Sequence, residues 1–156
     1  MVCERLDVDH DLLRQTCRHL KKLPCEFERA LLSGQARCVQ SQRFLVAERE
    51  GLQCQDASAQ AGCRTFLQIL RQSARFTLKS LDSRATWANT KNLRLQIGGL
   101  RGLRHILTES DTEATRPIED IFELLTKAHA RQGGLEELPQ ARIVQAIAAC
   151  QPRRRR

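Results

Sequence analysis

The chain contains 156 residues, of which 41% are hydrophobic and 4% aromatic, and 26 Lys and Arg against 18 Asp and Glu give it a formal charge of +8. This hydrophobic content is too high for a disordered chain and is sufficient for one compact domain. No apolar run approaches the roughly 20 residues of a membrane span, and the acidic, polar start is unlike a secretory signal. The sequence therefore predicts a cytoplasmic protein without membrane insertion.

The positive charge is concentrated in the middle of the chain. Residues 57–108 hold nine basic residues and one acidic residue, whereas residues 109–140 hold eight acidic and three basic residues. We expect one helical domain over residues 1–150, followed by a basic tail. Its parts are a cysteine-rich segment (1–63), a basic helical middle (57–108), an acidic and then apolar helical segment (109–150), and the tail (151–156).

The first half of the chain predicts two helices and one ambiguous stretch. A first helix is expected over about residues 9–22, where apolar residues recur at helical spacing. A second is expected from Pro24 to the residue before Gly34, because proline suits a first helical position and glycine suits a left-handed cap. Residues 36–50 fit a helix, although 43–46 also fit a short strand. A helix is favoured there because no convincing strand partner is adjacent.

The second half of the chain predicts four helices. The strongest pattern covers residues 57–80, where apolar residues recur every three or four positions after the capping residue Asp56. Residues 93–108 match helical spacing over a longer stretch than strand alternation, although a glycine pair weakens both patterns. Pro117 and Pro139 are each expected to open a further helix. The sequence therefore predicts an all-α fold of about six short helices.

The cysteines suggest a metal site. Seven cysteines in a chain without an export signal argue against a disulfide framework, since the cytosol keeps thiols reduced. Five of them fall within 47 residues, but no Cys-x-x-Cys pair occurs. Ligands for zinc or an iron–sulfur cluster would therefore have to converge from separate helix ends. The candidate ligands are Cys17, Cys25, Cys38, Cys54 and Cys63.

A second interpretation of the same cysteines is that they pack as small apolar side chains. Cys63 fits this interpretation, because it lies on the apolar stripe of its predicted helix. A catalytic thiol is disfavoured, since no histidine stands in a recognisable nucleophile context, and no other motif defines an enzyme class. The working hypothesis is a small metal- or iron–sulfur-binding cysteine protein with a structural, electron-transfer or sensing role, and an enzyme is disfavoured without being ruled out.

The basic residues support an alternative function. Four in residues 57–80 follow a spacing of i, i+7, i+11 and i+15 along one helix flank, and three in residues 93–108 form a second row. Such rows can grip the phosphates of nucleic acid or dock an acidic protein. A solvated helix face explains the same rows without any partner. The residues are Arg64, Arg71, Arg75 and Lys79 in the first row, and Arg94, Arg101 and Arg104 in the second.

Residues 23–35 (LPCEFERALLSGQ) resemble a group of small uncharacterised bacterial cysteine-containing proteins. The segment 47–51, the Gly98-Gly99 pair and the ending 151–156 are also similar to that group. The resemblance covers most of the chain and implies no established activity. Related chains carry a cysteine before the glycine pair, where this chain has Ile97. The resemblance therefore implies either that this position is not a ligand or that this chain has a reduced site.

Overall fold

The computed structural model describes residues 23–78, 89–110 and 115–151, so the predicted helix over residues 9–22 lies outside it. Of the helices in these ranges, none combines the length and the apolar character that a membrane crossing demands. In chain order the elements are α1 (Glu28–Leu32), β1 (Ser41–Val46), β2 (Arg49–Cys54), α2 (Ala57–Ser73), α3 (Asn89–Thr108), α4 (Ile121–Gln132), a 3₁₀ helix (Leu135–Glu137) and α5 (Gln140–Ala149).

The prediction of an all-α fold is wrong. Five α-helices of the described chain are accompanied by a two-stranded antiparallel sheet, so the fold is mixed although mostly helical. The sheet is a hairpin that begins in the stretch where a helix is favoured from sequence. Its strand partner is the very next segment, with Ser41 opposite Cys54 and Val46 opposite Arg49. The turn between them places Ala47 at a φ of 52°, in the left-handed region.

Gly51 lies in the middle of β2, where a glycine makes a strand difficult to predict from sequence. Glycine inside a strand offers no side chain to pack and usually weakens the strand. Here Phe44 lies directly across the hairpin, and a Cβ atom at Gly51 would stand 2.4 Å from Cζ of that ring. The phenyl ring therefore covers the bare glycine backbone. This stabilisation exists only in the paired state and is invisible in either strand alone.

α3 is the central helix, and α5 packs closely along it. The approach is possible because a Cβ atom at Gly98 would lie 2.6 Å from Cα of Ile147, and one at Gly102 would lie 3.1 Å from Cα of Ile143. The glycines of α3 thus serve close helix packing. The apolar residues of α3 that are fully buried are Leu95, Ile97, Leu100 and Leu103.

α4 begins at Ile121 rather than at Pro117, where the sequence predicts its start. Between the two, Ile118 forms a parallel bridge with Ala36, and its N–H donates to the carbonyl of Gln35 at 2.9 Å. Asp120 caps the helix by accepting a hydrogen bond from the second helical N–H at 3.1 Å. This pairing places the loop that precedes β1 against the N-terminus of α4.

Candidate metal centre

Four cysteines that are distant in sequence line one cavity between the hairpin, α2 and the N-terminus of α4. The cavity has a volume of about 20 Å³, and each of the four is a half-buried free thiol. Apolar side chains of Phe27, Leu31, Ile121 and Phe122 form part of its wall. The cysteines are Cys25, Cys38, Cys54 and Cys63, which are called the four-cysteine cavity below.

Cys25 and Cys54 approach each other through backbone pairing. The N–H of Cys54 donates to the carbonyl of Leu23 at 2.7 Å, and the N–H of Cys25 donates to the carbonyl of Leu52 at 3.3 Å. Residues 23–25 therefore run antiparallel to the end of β2 as a short extension of the hairpin. This placement corrects the expectation that Cys25 lies in the first turn of a helix, since α1 begins only at Glu28.

Two buried glutamines form hydrogen bonds with the backbone on either side of Cys25. Gln60, on α2, donates from Nε2 to the carbonyl of Pro24 at 3.0 Å. Gln96, on α3, donates to the carbonyl of Glu26 at 3.0 Å and accepts a hydrogen bond from the Ala30 N–H at 3.1 Å. Neither glutamine was predicted. The only signal in the sequence is a polar side chain within an apolar helix face.

Cys38 lies beside the N-terminus of α4. Asp120 accepts a hydrogen bond from the Val39 N–H at 3.0 Å, which ties the Cys38 loop to the start of that helix. Backbone hydrogen bonds from Gln40 and Phe122 reach the Cys38 sulfur and oppose the rise of its pKa. Such N–H donors and the positive end of a helix dipole both favour a thiolate. Burial, with a smaller contribution from the nearby Asp120 carboxylate, outweighs these donors, so the pKa of Cys38 is raised above its usual value.

Cys63 reaches the cavity from the second turn of α2. This helix begins as predicted after Asp56, whose carboxylate accepts hydrogen bonds from the N–H groups of Ser58 at 2.7 Å and Ala59 at 3.3 Å. The thiol of Cys54 donates to the Asp56 carbonyl at 3.1 Å. Asp56 thus joins the end of β2, which contains Cys54, to the start of α2, which contains Cys63.

Burial raises the pKa of the Cys25 thiol from 9.0 to about 12, and burial likewise raises the pKa of Cys38 and of Cys63. Negative charge on neighbouring thiolates raises these pKa values further, and each of the four cysteines takes part in this repulsion with the other three. A cation bound between the sulfurs would relieve the repulsion. Binding of a metal here would therefore be coupled to the loss of thiol protons.

Four of the five predicted ligands share this cavity, while Cys17 lies outside the described residues. Cys150 is elsewhere: it is buried at the end of α5, with its sulfur 4.0 Å from a guanidinium nitrogen of Arg101. Across residues 23–78, 89–110 and 115–151, no group of three or more His, Cys, Asp or Glu side chains is already spaced as the ligands of a metal ion. The candidate centre is thus a shared cavity of thiols.

The second row of predicted arginines makes contacts within the molecule. Arg94 donates to the carbonyl of Ile147 at 3.0 Å, at the C-terminal end of α5. Arg101 donates to the side chain of Gln35 at 2.8 Å, and Arg104 donates to two carbonyls of the segment before α4. These three guanidinium groups join α3 to its neighbours.

The first row of predicted basic residues is more exposed. Arg64 forms an ion pair with Glu26, with Nε and Oε1 3.1 Å apart, and Arg71 is exposed on the last turn of α2. α2 ends at Ser73, short of the predicted 57–80, so the exposed Arg75 lies beyond the helix. Lys79 lies outside the described residues. A binding surface for nucleic acid or an acidic partner stays a prediction.

Comparison of the chain with protein-family models, curated proteins and solved structures finds no match. The candidate centre therefore depends on the placement and chemistry of the four cysteines.

Proposed function

We propose that the protein binds zinc or an iron–sulfur cluster through Cys25, Cys38, Cys54 and Cys63. The observation that carries this proposal is that four thiols from four separate segments line one cavity of about 20 Å³. A bound metal would serve a structural, electron-transfer or sensing role, and the proposal assigns no catalytic residue.

The chemistry of the sulfurs supports a metal cation as the occupant. Thiolates are the protein ligands preferred by zinc and by iron–sulfur clusters. Four neighbouring, half-buried thiolates repel one another unless a cation lies between them, because each raises the free energy of the others. A bound cation converts this repulsion into attraction and makes deprotonation favourable.

The backbone around the sulfurs supports a built site rather than incidental packing of small side chains. Cys25 and Cys54 are fixed by antiparallel pairing, and Cys63 is fixed by its helix. Cys38 is tied to the start of α4 through Asp120. A metal that joins these sulfurs would link the hairpin to two helices and would stabilise the fold by closing the loops between them.

The proposal also places the protein in a reducing compartment, which we take to be the cytoplasm. All five cysteines of the described ranges are free thiols. Neighbouring thiols of this kind stay reduced, and so available to a metal, where glutathione and thioredoxin keep the environment reducing.

The test is metal and sulfide analysis of protein purified anaerobically, together with single serine variants of the four cysteines. We expect the wild-type chain to carry metal and each of Cys25→Ser, Cys38→Ser, Cys54→Ser and Cys63→Ser to bind it at least about tenfold more weakly. Cys150→Ser is the matched control and should retain the metal. A folded chain that stays metal-free after reconstitution with zinc, and with iron and sulfide, would contradict the proposal.

A further inference from the structure

We propose that a groove between α3 and α4 binds a small organic anion, with an oxyanion head group of the phosphate or carboxylate type and an apolar body. The observation that carries this proposal is that guanidinium groups from three separate segments line one large cavity together with apolar side chains. The three are Arg37, Arg104 and Arg131, and the cavity is called the α3–α4 groove below. It shares no lining residue with the four-cysteine cavity, so the proposal does not depend on a bound metal.

The α3–α4 groove has the size of a small-molecule site. Its volume is about 810 Å³, within the range of roughly 300–1,000 Å³ that ligand pockets occupy. The C-terminal end of α3, one side of α4 and residues 116–120 form its walls. Apolar side chains of Leu107, Ile118 and Leu124 contribute to the lining, and Leu124 is only half-buried. The apolar part of a ligand therefore has a surface to contact.

Positive charge predominates along the α3–α4 groove. Five basic and three acidic residues line it. Two of the acidic side chains are engaged within the fold, because the Asp120 carboxylate accepts two backbone N–H hydrogen bonds and Glu123 forms an ion pair with Lys127 at 2.6 Å. The remaining carboxylate, Glu119, is exposed. The charge balance of the groove thus favours an anion over a cation.

Arg37 combines a fixed backbone with an accessible guanidinium group. Its N–H donates to the carbonyl of Ile118 at 2.9 Å, and its carbonyl accepts a hydrogen bond from the N–H of Ile121 at 2.9 Å. Its side chain is exposed and forms no ion pair with any carboxylate of the described residues. A guanidinium fork of this kind can donate two parallel hydrogen bonds to a carboxylate or a phosphate.

Arg104 and Arg131 are held at the groove by hydrogen bonds to main-chain carbonyls. Arg104 donates to the carbonyls of Arg116 at 3.0 Å and Pro117 at 3.2 Å, and Arg131 donates to the carbonyl of Leu107 at 2.6 Å. These bonds fix the position of each guanidinium group. A carbonyl oxygen uses one of the five N–H donors of an arginine and does not neutralise its charge. Arg131 therefore keeps donors and positive charge for a ligand in a position that is already set.

The experiment is an NMR titration of the full-length, reduced chain at low ionic strength, in which backbone amide shifts report both affinity and location. The probes are phenyl phosphate, phenylacetate and inorganic phosphate, with benzyl alcohol as the uncharged control and a short single-stranded oligonucleotide as a macromolecular anion. The first two probes distinguish a phosphate from a carboxylate head group.

Three variants separate the groove from general surface charge. Arg37→Gln removes the accessible guanidinium group, and its matched control is Arg71→Gln, because Arg71 is equally exposed but lies on α2, outside the groove. Glu119→Gln removes the exposed carboxylate of the groove. None of the three side chains is buried, so each variant is expected to fold.

We expect phenyl phosphate or phenylacetate to bind more tightly than inorganic phosphate and benzyl alcohol, with shifts centred on the α3–α4 groove. Arg37→Gln should weaken this binding about tenfold, since a hydrogen bond to a charged group is lost, and Arg71→Gln should leave it unchanged. Glu119→Gln should strengthen it about twofold by removing a like charge.

Three results would overturn the proposal. The first is folded protein that binds neither organic anion, or that binds only the oligonucleotide. The second is equal affinity of the wild-type chain and Arg37→Gln. The third is equal affinity for inorganic phosphate and the organic anions, which would show that the apolar lining makes no contact with a ligand.

Discussion

Replacing Gln96 with methionine removes the amide that holds the Cys25 segment against α3, while keeping the volume of the side chain nearly constant. Gln96 is 2% exposed, and its Oε1 atom accepts the hydrogen bond of the Ala30 N–H in the first turn of α1. No side chain of the preceding residues caps this helix, so the N–H of Ala30 depends on Gln96.

The expected loss of stability follows from the two backbone groups that the substitution leaves unpaired. A buried donor or acceptor without a partner costs about 1–3 kcal/mol. Ala30 is fully buried, and the Glu26 carbonyl that Gln96 also binds is partly buried. We therefore expect Gln96→Met to lower the free energy of unfolding by about 2–4 kcal/mol, with the Glu26 carbonyl at the lower end of the range.

Urea unfolding of the metal-free protein, followed by circular dichroism, measures this loss directly. The matched control is Gln68→Met, because Gln68 is exposed on α2 and its substitution should change the free energy of unfolding by less than about 0.5 kcal/mol. Equal stability of the two variants would refute the structural role assigned to Gln96.

Three further predictions follow from the contacts described. The pKa of Cys25 rises from 9.0 to about 12 on folding. The neutral thiol should therefore stabilise the metal-free protein fully below pH 9, and this stabilisation should be lost as the pH rises toward 12. Urea unfolding measured as a function of pH should show a smaller loss for Cys25→Ser. Gly98→Ala places a Cβ atom 2.6 Å from Cα of Ile147 and should destabilise the protein by about 1–3 kcal/mol in thermal unfolding. The control is Gly62→Ala, in open space on α2, which should stabilise the protein by about 0.5–1 kcal/mol. The reverse order of stabilities would contradict the described packing of α5 on α3. Asp120→Ala removes a helix cap and the hydrogen bond to the Cys38 loop. It should cost about 1 kcal/mol of stability and weaken metal binding measured by competition with a chelator, while Asp120→Asn should retain most of the stability and most of the metal affinity. Unchanged metal affinity in the alanine variant would show that the loop does not need this anchor.

The start of α2 was predictable because its signals are local, whereas the end of α2 and the starts of α1 and α4 were predicted wrongly. The apolar repeat that follows Asp56 and the cap itself lie within one stretch of chain, so α2 could be located from sequence alone. The hairpin was not predictable in the same way. Its turn contains Ala47 at positive φ instead of the usual Asn-Gly or Asp-Gly pair, and β2 has Gly51 at its centre. The contact of Phe44 with that glycine across the hairpin exists only once the strands are paired.

The candidate site could be predicted as a set of residue types but not as a geometry. The density of cysteines identified the four thiols of the cavity as candidate ligands. Their convergence depends on contacts between distant segments, such as the pairing of residues 23–25 with β2 and the bond from Gln96 to Glu26. Similarly, the spacing of the arginines on α3 predicted that they share one face of the helix. It could not show that Arg94 donates hydrogen bonds to carbonyls of α5.

The most direct test of the account is X-ray absorption spectroscopy of the metal in anaerobically prepared wild-type protein. We predict an inner shell of about four sulfur atoms near 2.3 Å around each metal atom. An inner shell dominated by oxygen or nitrogen, or a sulfur shell that persists unchanged when Cys25, Cys38, Cys54 and Cys63 are all replaced by serine, would contradict the account.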